Sequence, residues 1–204
     1  MIEVKAKNIS KNYGRKRVLS GIHFQFQSTV IGVAGSNGSG KSTLLKILSG
    51  LLKPSSGKIQ WKINETELSP KEIHSHLGFA APYVQLYEEL TVDENVRFLI
   101  DLQKNSINKQ IDNLLTEYQL TGLSDSLYGN LSTGQQQRAK LASAMIKNPD
   151  VLMLDEPGSN LDGRGKSLVE NLVSTMRNQN KMVIIASNQT EELDLCDEII
   201  NLNN

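Results

Sequence analysis

The sequence predicts an α/β fold with a helical insertion, and three observations carry that expectation. First, three wholly or largely apolar runs of strand length, at residues 29–34, 151–154 and 182–186, alternate with helical stretches. That alternation implies parallel pairing. Second, residues 1 to about 62 are strand-rich. Val18, Ile22, Phe24 and Phe26 partly alternate, and 57–63 reads as another half-buried strand after the Pro54-Ser55-Ser56-Gly57 turn. Third, residues 80–148 carry helical patterns throughout.

Each predicted element has a local reason. A helix is expected after the 29–34 strand from the spacing of Leu44, Leu45, Ile47, Leu48, Leu51 and Leu52. Thr91-Val92-Asp93-Glu94 is a capping box, with Leu90 placed to act as a hydrophobic staple. Ile107, Ile111, Leu114, Leu115 and Tyr118 share one helical face. A third helix should open at Ser132 and stop at Asn148-Pro149. A polar helix is expected over 163–178. The core then comprises 1–79 and 149–204, and the insertion 80–148.

Composition narrows the functional classes. The chain has 204 residues, with 22 Lys+Arg against 22 Asp+Glu and a formal net charge of zero. Nucleic-acid binders need a basic face for counterion release, so no nucleic-acid partner is expected. No apolar run approaches the roughly 20 residues of a membrane helix. Met1-Ile2-Glu3-Val4-Lys5 alternates like a strand, so no secretory leader is expected. The single cysteine, Cys196, suits a reducing compartment and is expected as a small buried filler. His74 and His76, in a polar stretch, are expected to be solvated.

Gly35-Ser36-Asn37-Gly38-Ser39-Gly40-Lys41-Ser42-Thr43 has the spacing of a phosphate-binding P-loop. Its glycines let backbone N–H groups turn inward around an anion, and the following helix aims its positive end at the same place. Lys41 adds a charge for β- and γ-phosphates, and the Ser42 hydroxyl is a hard oxygen ligand for Mg²⁺. A second motif, Val151-Leu152-Met153-Leu154-Asp155-Glu156, is a buried strand ending in two carboxylates. Asp155 suits the Mg²⁺ shell opposite Ser42, and Glu156 suits the polarisation of an attacking water. The alternative is that both acids merely cap a helix.

Before that second motif stands Leu131-Ser132-Thr133-Gly134-Gln135-Gln136-Gln137-Arg138. It resembles the signature sequence of ATP-binding-cassette (ABC) ATPases, with Thr133 replacing the usual first glycine. Asn12-Tyr13-Gly14 and Ser159-Asn160-Leu161-Asp162 also fall in the family's order. With five ordered motifs over essentially the whole chain, the sequence resembles the stand-alone ATP-binding subunit of an ABC transporter. Its length and outline are similar to those of small export ATPases of the haem-exporter type.

The resemblance implies a P-loop NTPase core of RecA type, with an N-terminal antiparallel β subdomain and an inserted helical one. It implies ATP and Mg²⁺ as ligands, hydrolysis of the β–γ bond, and a head-to-tail homodimer around two nucleotides. It also implies a separate integral-membrane subunit, with this chain peripheral on the cytoplasmic face. Ser132 and Gly134 would then act on ATP held by the partner copy. Tyr13 would stack on adenine, or else simply cover the core. Asp162 would end a loop crossing the dimer interface, or else cap the next helix.

Two positions depart from the family pattern. Aligned on Leu86-Tyr87-Glu88-Glu89-Leu90-Thr91, Pro82 stands where the family has a glutamine touching Mg²⁺, and Gln85 comes three residues late. Asn188 stands where the family has a histidine contacting the γ-phosphate. An asparagine amide donates a hydrogen bond but carries no charge. The membrane partner is expected in a groove around Tyr83, Leu86, Tyr87 and Glu88, which should expose apolar surface. Two other functions stay open. An ATP-gated clamp with little hydrolysis is favoured by Pro82 and Asn188 and opposed by Glu156. A non-transport ABC ATPase is opposed by the lack of long coiled-coil insertions or basic arms.

Overall fold

Two sheets organise the chain in the computed structural model, which describes residues 1–27, 30–69, 71–102 and 111–202. The expectations for Thr29 and Ile107 lie outside the described residues. Strands β1 (Ile2–Tyr13), β2 (Lys16–Gln27), β4 (Ser56–Ile63) and β5 (Thr66–Leu68) form an antiparallel sheet in the order β2-β1-β4-β5. Strands β3 (Val30–Ala34), β6 (Leu77–Ala80), β7 (Val151–Asp155), β8 (Met182–Ser187) and β9 (Glu198–Asn201) form a parallel sheet in the order β6-β7-β8-β3-β9.

The parallel sheet explains the unbroken apolar runs. It is covered on both faces, so its central strands have no solvent side. Successive residues serve two different cores. Leu152, Leu154, Val183 and Ile185 pack into a core shared with the helical segments. Val151, Met153, Met182 and Ile184 pack into one shared with the antiparallel sheet and with Leu44, Leu45 and Leu48. In that second core Trp61 is 2% exposed, and its indole N–H donates to the Leu48 carbonyl at 3.0 Å.

Helix α1 (Lys41–Leu48) is shorter than its leucine pattern suggested. Its C-cap is Ser49, and Gly50 turns to φ +77°, so Leu51 projects into solvent. Helix α2 (Val92–Asp101) starts with the expected capping box of Thr91 and Glu94. The Leu90 staple does not form, because the fourth helical position is Asn95. The Asn95 amide instead bonds the Tyr87 N–H and the Tyr87, Leu90 and Thr91 carbonyls.

Helix α3 (Ile111–Glu117) buries Leu114 and Leu115. Helix α4 (Thr133–Ala144) is capped by Ser132 and packs so closely on β6 that a Cβ at Gly78 would collide with the Ala144 carbonyl. Helix α5 (Gly163–Asn178) has more of an apolar face than its composition suggested, burying Leu168, Val169, Leu172, Val173 and Met176. A short α6 (Thr190–Leu193) precedes β9. Among the described residues no helix is long and apolar enough to cross a membrane.

Candidate phosphate-binding site

The order of the parallel sheet brings the motifs together. Strand β8 lies between β3 and β7, so Ala34, Ser187 and Asp155 end side by side. At about 4.8 Å per strand step, the exits of β3 and β7 stand roughly 10 Å apart. Open parallel sheets bind ligands at such carboxyl ends. A cleft of about 500 Å³ opens there, lined by Val18, Asn37, Gly38, Gly40, Lys41, Ser42, Thr43, Pro82, Tyr83, Asp155 and Glu156.

The glycine loop is shaped by a position that admits no other residue. Gly40 takes φ +105°, and a Cβ there would lie 2.8 Å from Leu19 Cδ2 and 3.0 Å from Val18 Cγ1. Gly40 is also the N-cap of α1, so no side chain caps that helix and its first N–H groups stay available to an anion. Lys41 is buried behind the loop. Its Nζ donates to Gly35 O at 2.7 Å and Ser36 O at 3.4 Å, and pairs with Glu156 Oε1 at 3.2 Å. An ammonium has three protons, and the protein meets each with an acceptor.

Asp155 is the opposite case. It is 1% exposed, and neither carboxylate oxygen has a hydrogen-bond partner in the chain. Ser42 and Tyr83 line the same cleft, and their hydroxyls favour the Asp155 charge although neither is hydrogen-bonded to it. Burial, with the adjacent Glu156 charge adding, still holds its pKa above the usual carboxylate value. An unsatisfied buried acceptor costs about 1–3 kcal/mol. A buried carboxylate facing a serine hydroxyl is the hard oxygen set that suits Mg²⁺, so these residues fit the ion. Glu156 sits in a left-handed backbone conformation, φ +50°, with its N–H on Ala186 O at 2.8 Å. Neither acid caps a helix: α5 begins later, on Asp162.

The remaining predicted residues divide into those at the cleft and those away from it. Gly35, Ser36 and Ser39 shape the loop without lining the cleft, and Ser39 N–H donates to Ser36 O at 3.1 Å. Asn188 reaches the loop's rim, where its amide donates to Asn37 Oδ1 at 3.2 Å. Tyr13 ends β1, half exposed, with the Lys11 ammonium 5.2 Å from its ring centroid. Ser132 and Gln135 close a capping box at the start of α4, and a Cβ at Gly134 would lie 3.1 Å from Asn160 O. Asp162 caps α5 through the Gly165 N–H at 2.8 Å and pairs with Arg138 at 3.1 Å. The Gly165 bond first, with Arg138 adding, keeps its carboxyl below the usual range.

Gln85, three residues late in the family's order, does not enter the cleft; its amide turns back onto Pro82 O at 2.9 Å. Other expectations are corrected. Leu86 is buried in the core rather than offered to a partner, because the chain turns inward there before α2. Tyr83 lines the phosphate cleft. Burial, then the Asp155 charge, push its hydroxyl pKa up, which keeps it a proton donor. Tyr83 was expected in the partner groove instead, because nothing within a few residues of it encodes a cleft across the sheet. His76 is not simply solvated, since its Nδ1 lies 2.6 Å from Asp150 Oδ2. Cys196 is half-buried against Gly32, and burial pushes its thiol up to about 12.

Known proteins share both sequence and architecture with this chain. Residues 19–159 match the family described as ABC transporter. A probable sulfate/thiosulfate import ATP-binding protein, CysA of Chlorella vulgaris, is 35% identical over 97% of this chain and 86% of its own length. The lipoprotein-releasing system ATP-binding protein LolD of Desulfotalea psychrophila is 38% identical over 92% of this chain and 90% of its own. The cassette MJ0796, solved as a dimer in a post-hydrolysis state with ADP and Pi, superposes with a TM-score of 0.85 at 25% identity, covering 98% and 94% of the two chains. These relatives are named for sulfate import and lipoprotein release, so the likeness to haem exporters extends only to length and outline. The chain belongs to the ABC transporter family and is one of its ATP-binding, ATP-hydrolysing subunits.

Proposed function

We propose that this chain hydrolyses MgATP in the cleft between the glycine loop and β7, as half of a head-to-tail dimer attached to the cytoplasmic face of a membrane subunit. The observation that carries the reading is the convergence of Lys41, Ser42, Asp155 and Glu156 on one cleft, with the Asp155 oxygens lacking partners. The residues from Gly35 to Thr43 wrap the phosphates through backbone N–H groups. Ser42 and Asp155 would hold Mg²⁺, which, once bound, offsets phosphate charge. Lys41 turns from the Gly35 and Ser36 carbonyls and from Glu156 to the β- and γ-phosphate oxygens. Glu156, released from Lys41, accepts a proton from the water that attacks the γ-phosphorus in line. Asn188, poised on Asn37, supplies a neutral donor near the γ-phosphate.

Tyr13 stacks on adenine, and Ser132, Gly134 and Asp162 complete the partner's site across the dimer. Exposed Tyr87, set edge-on against Phe98 at 5.2 Å, marks the helical surface that meets the membrane subunit. The ATP-gated clamp keeps one observation in its favour, the Lys41–Glu156 pair that withholds the base. Phosphate release at saturating MgATP separates the two. Turnover that collapses in Glu156→Gln supports hydrolysis, and negligible wild-type turnover with intact dimerisation supports the clamp.

A further inference from the structure

Tyr83 belongs to neither phosphate motif, yet it is fixed inside the cleft from three sides. It lines the cleft together with Asp155 and Ser42, and the Asp155 charge acts on its hydroxyl. Its ring carries the Lys46 ammonium 3.7 Å from the centroid and leans on Phe79 at 6.0 Å between centroids. Lys46 lies in the last turn of α1, whose first turn supplies Lys41 and Ser42. The preceding carbonyl, of Pro82, accepts from Lys140 Nζ of α4 at 3.4 Å and from Gln85 Nε2 at 2.9 Å. Ring and backbone are therefore both anchored in the cleft that Asp155 also lines. Asp155 has two oxygens without partners, and two hydroxyl groups of the same cleft, Ser42 and Tyr83, come from different segments of the chain and favour its charged form.

We propose that Tyr83 is a positioning residue for the divalent cation: its hydroxyl engages one Asp155 oxygen and leaves the other aimed toward Ser42. This rests on the reading of Asp155 as the residue that holds Mg²⁺. Groups that orient a metal-binding carboxylate in this way typically change metal affinity by about 10–100-fold. Pro82 supplies no side-chain donor and Gln85 points elsewhere, so among the described residues lining the cleft Tyr83 is the polar group that segment offers to Asp155.

The test is a titration of the full chain with a fluorescent ATP analogue, once with excess Mg²⁺ and once with EDTA. The proteins compared are wild type, Tyr83→Phe, Asp155→Asn and the double variant. Tyr83→Phe keeps the ring, and with it the Lys46 and Phe79 contacts. It should weaken binding about tenfold or more with Mg²⁺ and leave binding in EDTA unchanged. In the Asp155→Asn background the same change should have no further effect. Equal losses with and without Mg²⁺ would mean a packing role and overturn the proposal. So would unchanged or tighter Mg²⁺-dependent binding in Tyr83→Phe while Asp155→Asn is impaired, and the reading of Asp155 would then stand. Wild-type Mg²⁺ dependence in Asp155→Asn would overturn both.

Discussion

Helices α1 and α4 both open on a motif tied to nucleotide, and their first turns are built in opposite ways. The start of α1 has a left-handed glycine as its N-cap and no side chain over its N–H groups. The start of α4 is closed on itself. Gln135 N–H donates to Ser132 Oγ at 3.3 Å, and Ser132 N–H donates to Gln135 Oε1 at 2.9 Å. Its next residues are tied to the loop after Glu156, through Gln137 Nε2 on Pro157 O at 3.0 Å and Arg138 on Asp162 at 3.1 Å. An uncapped helix start leaves its N–H groups open to an anion or to water, whereas a capping box satisfies two donors from within the chain. One half of a nucleotide site is thus ready within the chain. In the proposed dimer the other half is a stable surface that a second copy brings up.

Lys41→Ala should break that comparison at its stronger end. It removes the charge behind the α1 loop, and each charge-assisted hydrogen bond contributes about 1.5–3 kcal/mol. Losing two is roughly a hundredfold or more in ATP affinity. Equilibrium titration measures it, and unchanged affinity would mean that α1 is not the anion site. Glu156→Gln comes next, with hydrolysis down about 10²–10⁴-fold. ATP binding should tighten as well, because Lys41 no longer has a charged competitor. Size-exclusion chromatography with MgATP should then reveal a dimer.

Adding Ser132→Arg to Glu156→Gln sharpens the contrast. The dimer should vanish while the ATP affinity of the single chain stays as it was. A loss of both would mean that α4 contributes to its own chain's site.

Asn188 should give a smaller effect. Charge-assisted hydrogen bonds are roughly twice as strong as neutral ones. Asn188→His should therefore raise steady-state phosphate release by about threefold to tenfold, a difference near 1 kcal/mol. Asn188→Ala should lower it, and equal rates would remove Asn188 from the phosphate site.

The smallest expected effect concerns stability. Glu192 is buried, accepts from Gly158 N–H at 2.6 Å, and leaves its second oxygen without a partner. Burial raises its pKa above the usual value. A carboxyl with a raised folded-state pKa favours folding most at low pH and loses that contribution as pH rises through the folded value. Glu192→Gln should gain about 1 kcal/mol, or 2–4 °C in Tm, at neutral pH. The gain should fade on acidification toward pH 4, and a melting series across that range checks it.

What the sequence made legible was local. The glycine loop, the Asp155-Glu156 pair and the Thr91 and Ser132 caps depend on residues within a few positions of one another. Fully apolar strands announce a covered sheet. Contacts between distant segments were not legible. Tyr83 enters the cleft because β6 lies beside β7, and Glu192 meets Gly158 because α6 folds back beneath β8. Strand β9 has one half-buried and three exposed positions, so its four residues show no apolar run. Leu86 looked like partner surface because nothing in its neighbours along the chain signals that it joins the helical core.

The three-way capture of Lys41 has a consequence for the order of events after hydrolysis. Any ligand entering the cleft has to compete with Gly35, Ser36 and Glu156 for the same ammonium, so entry is a displacement rather than the filling of a void. A nucleotide with few phosphates competes poorly. Once the γ-phosphate has gone, the Glu156 carboxylate, again deprotonated, can retake Lys41 from the product. In the proposed cycle the cleft then resets by an exchange inside the chain, and the residue assigned as the base also assists the ejection of ADP.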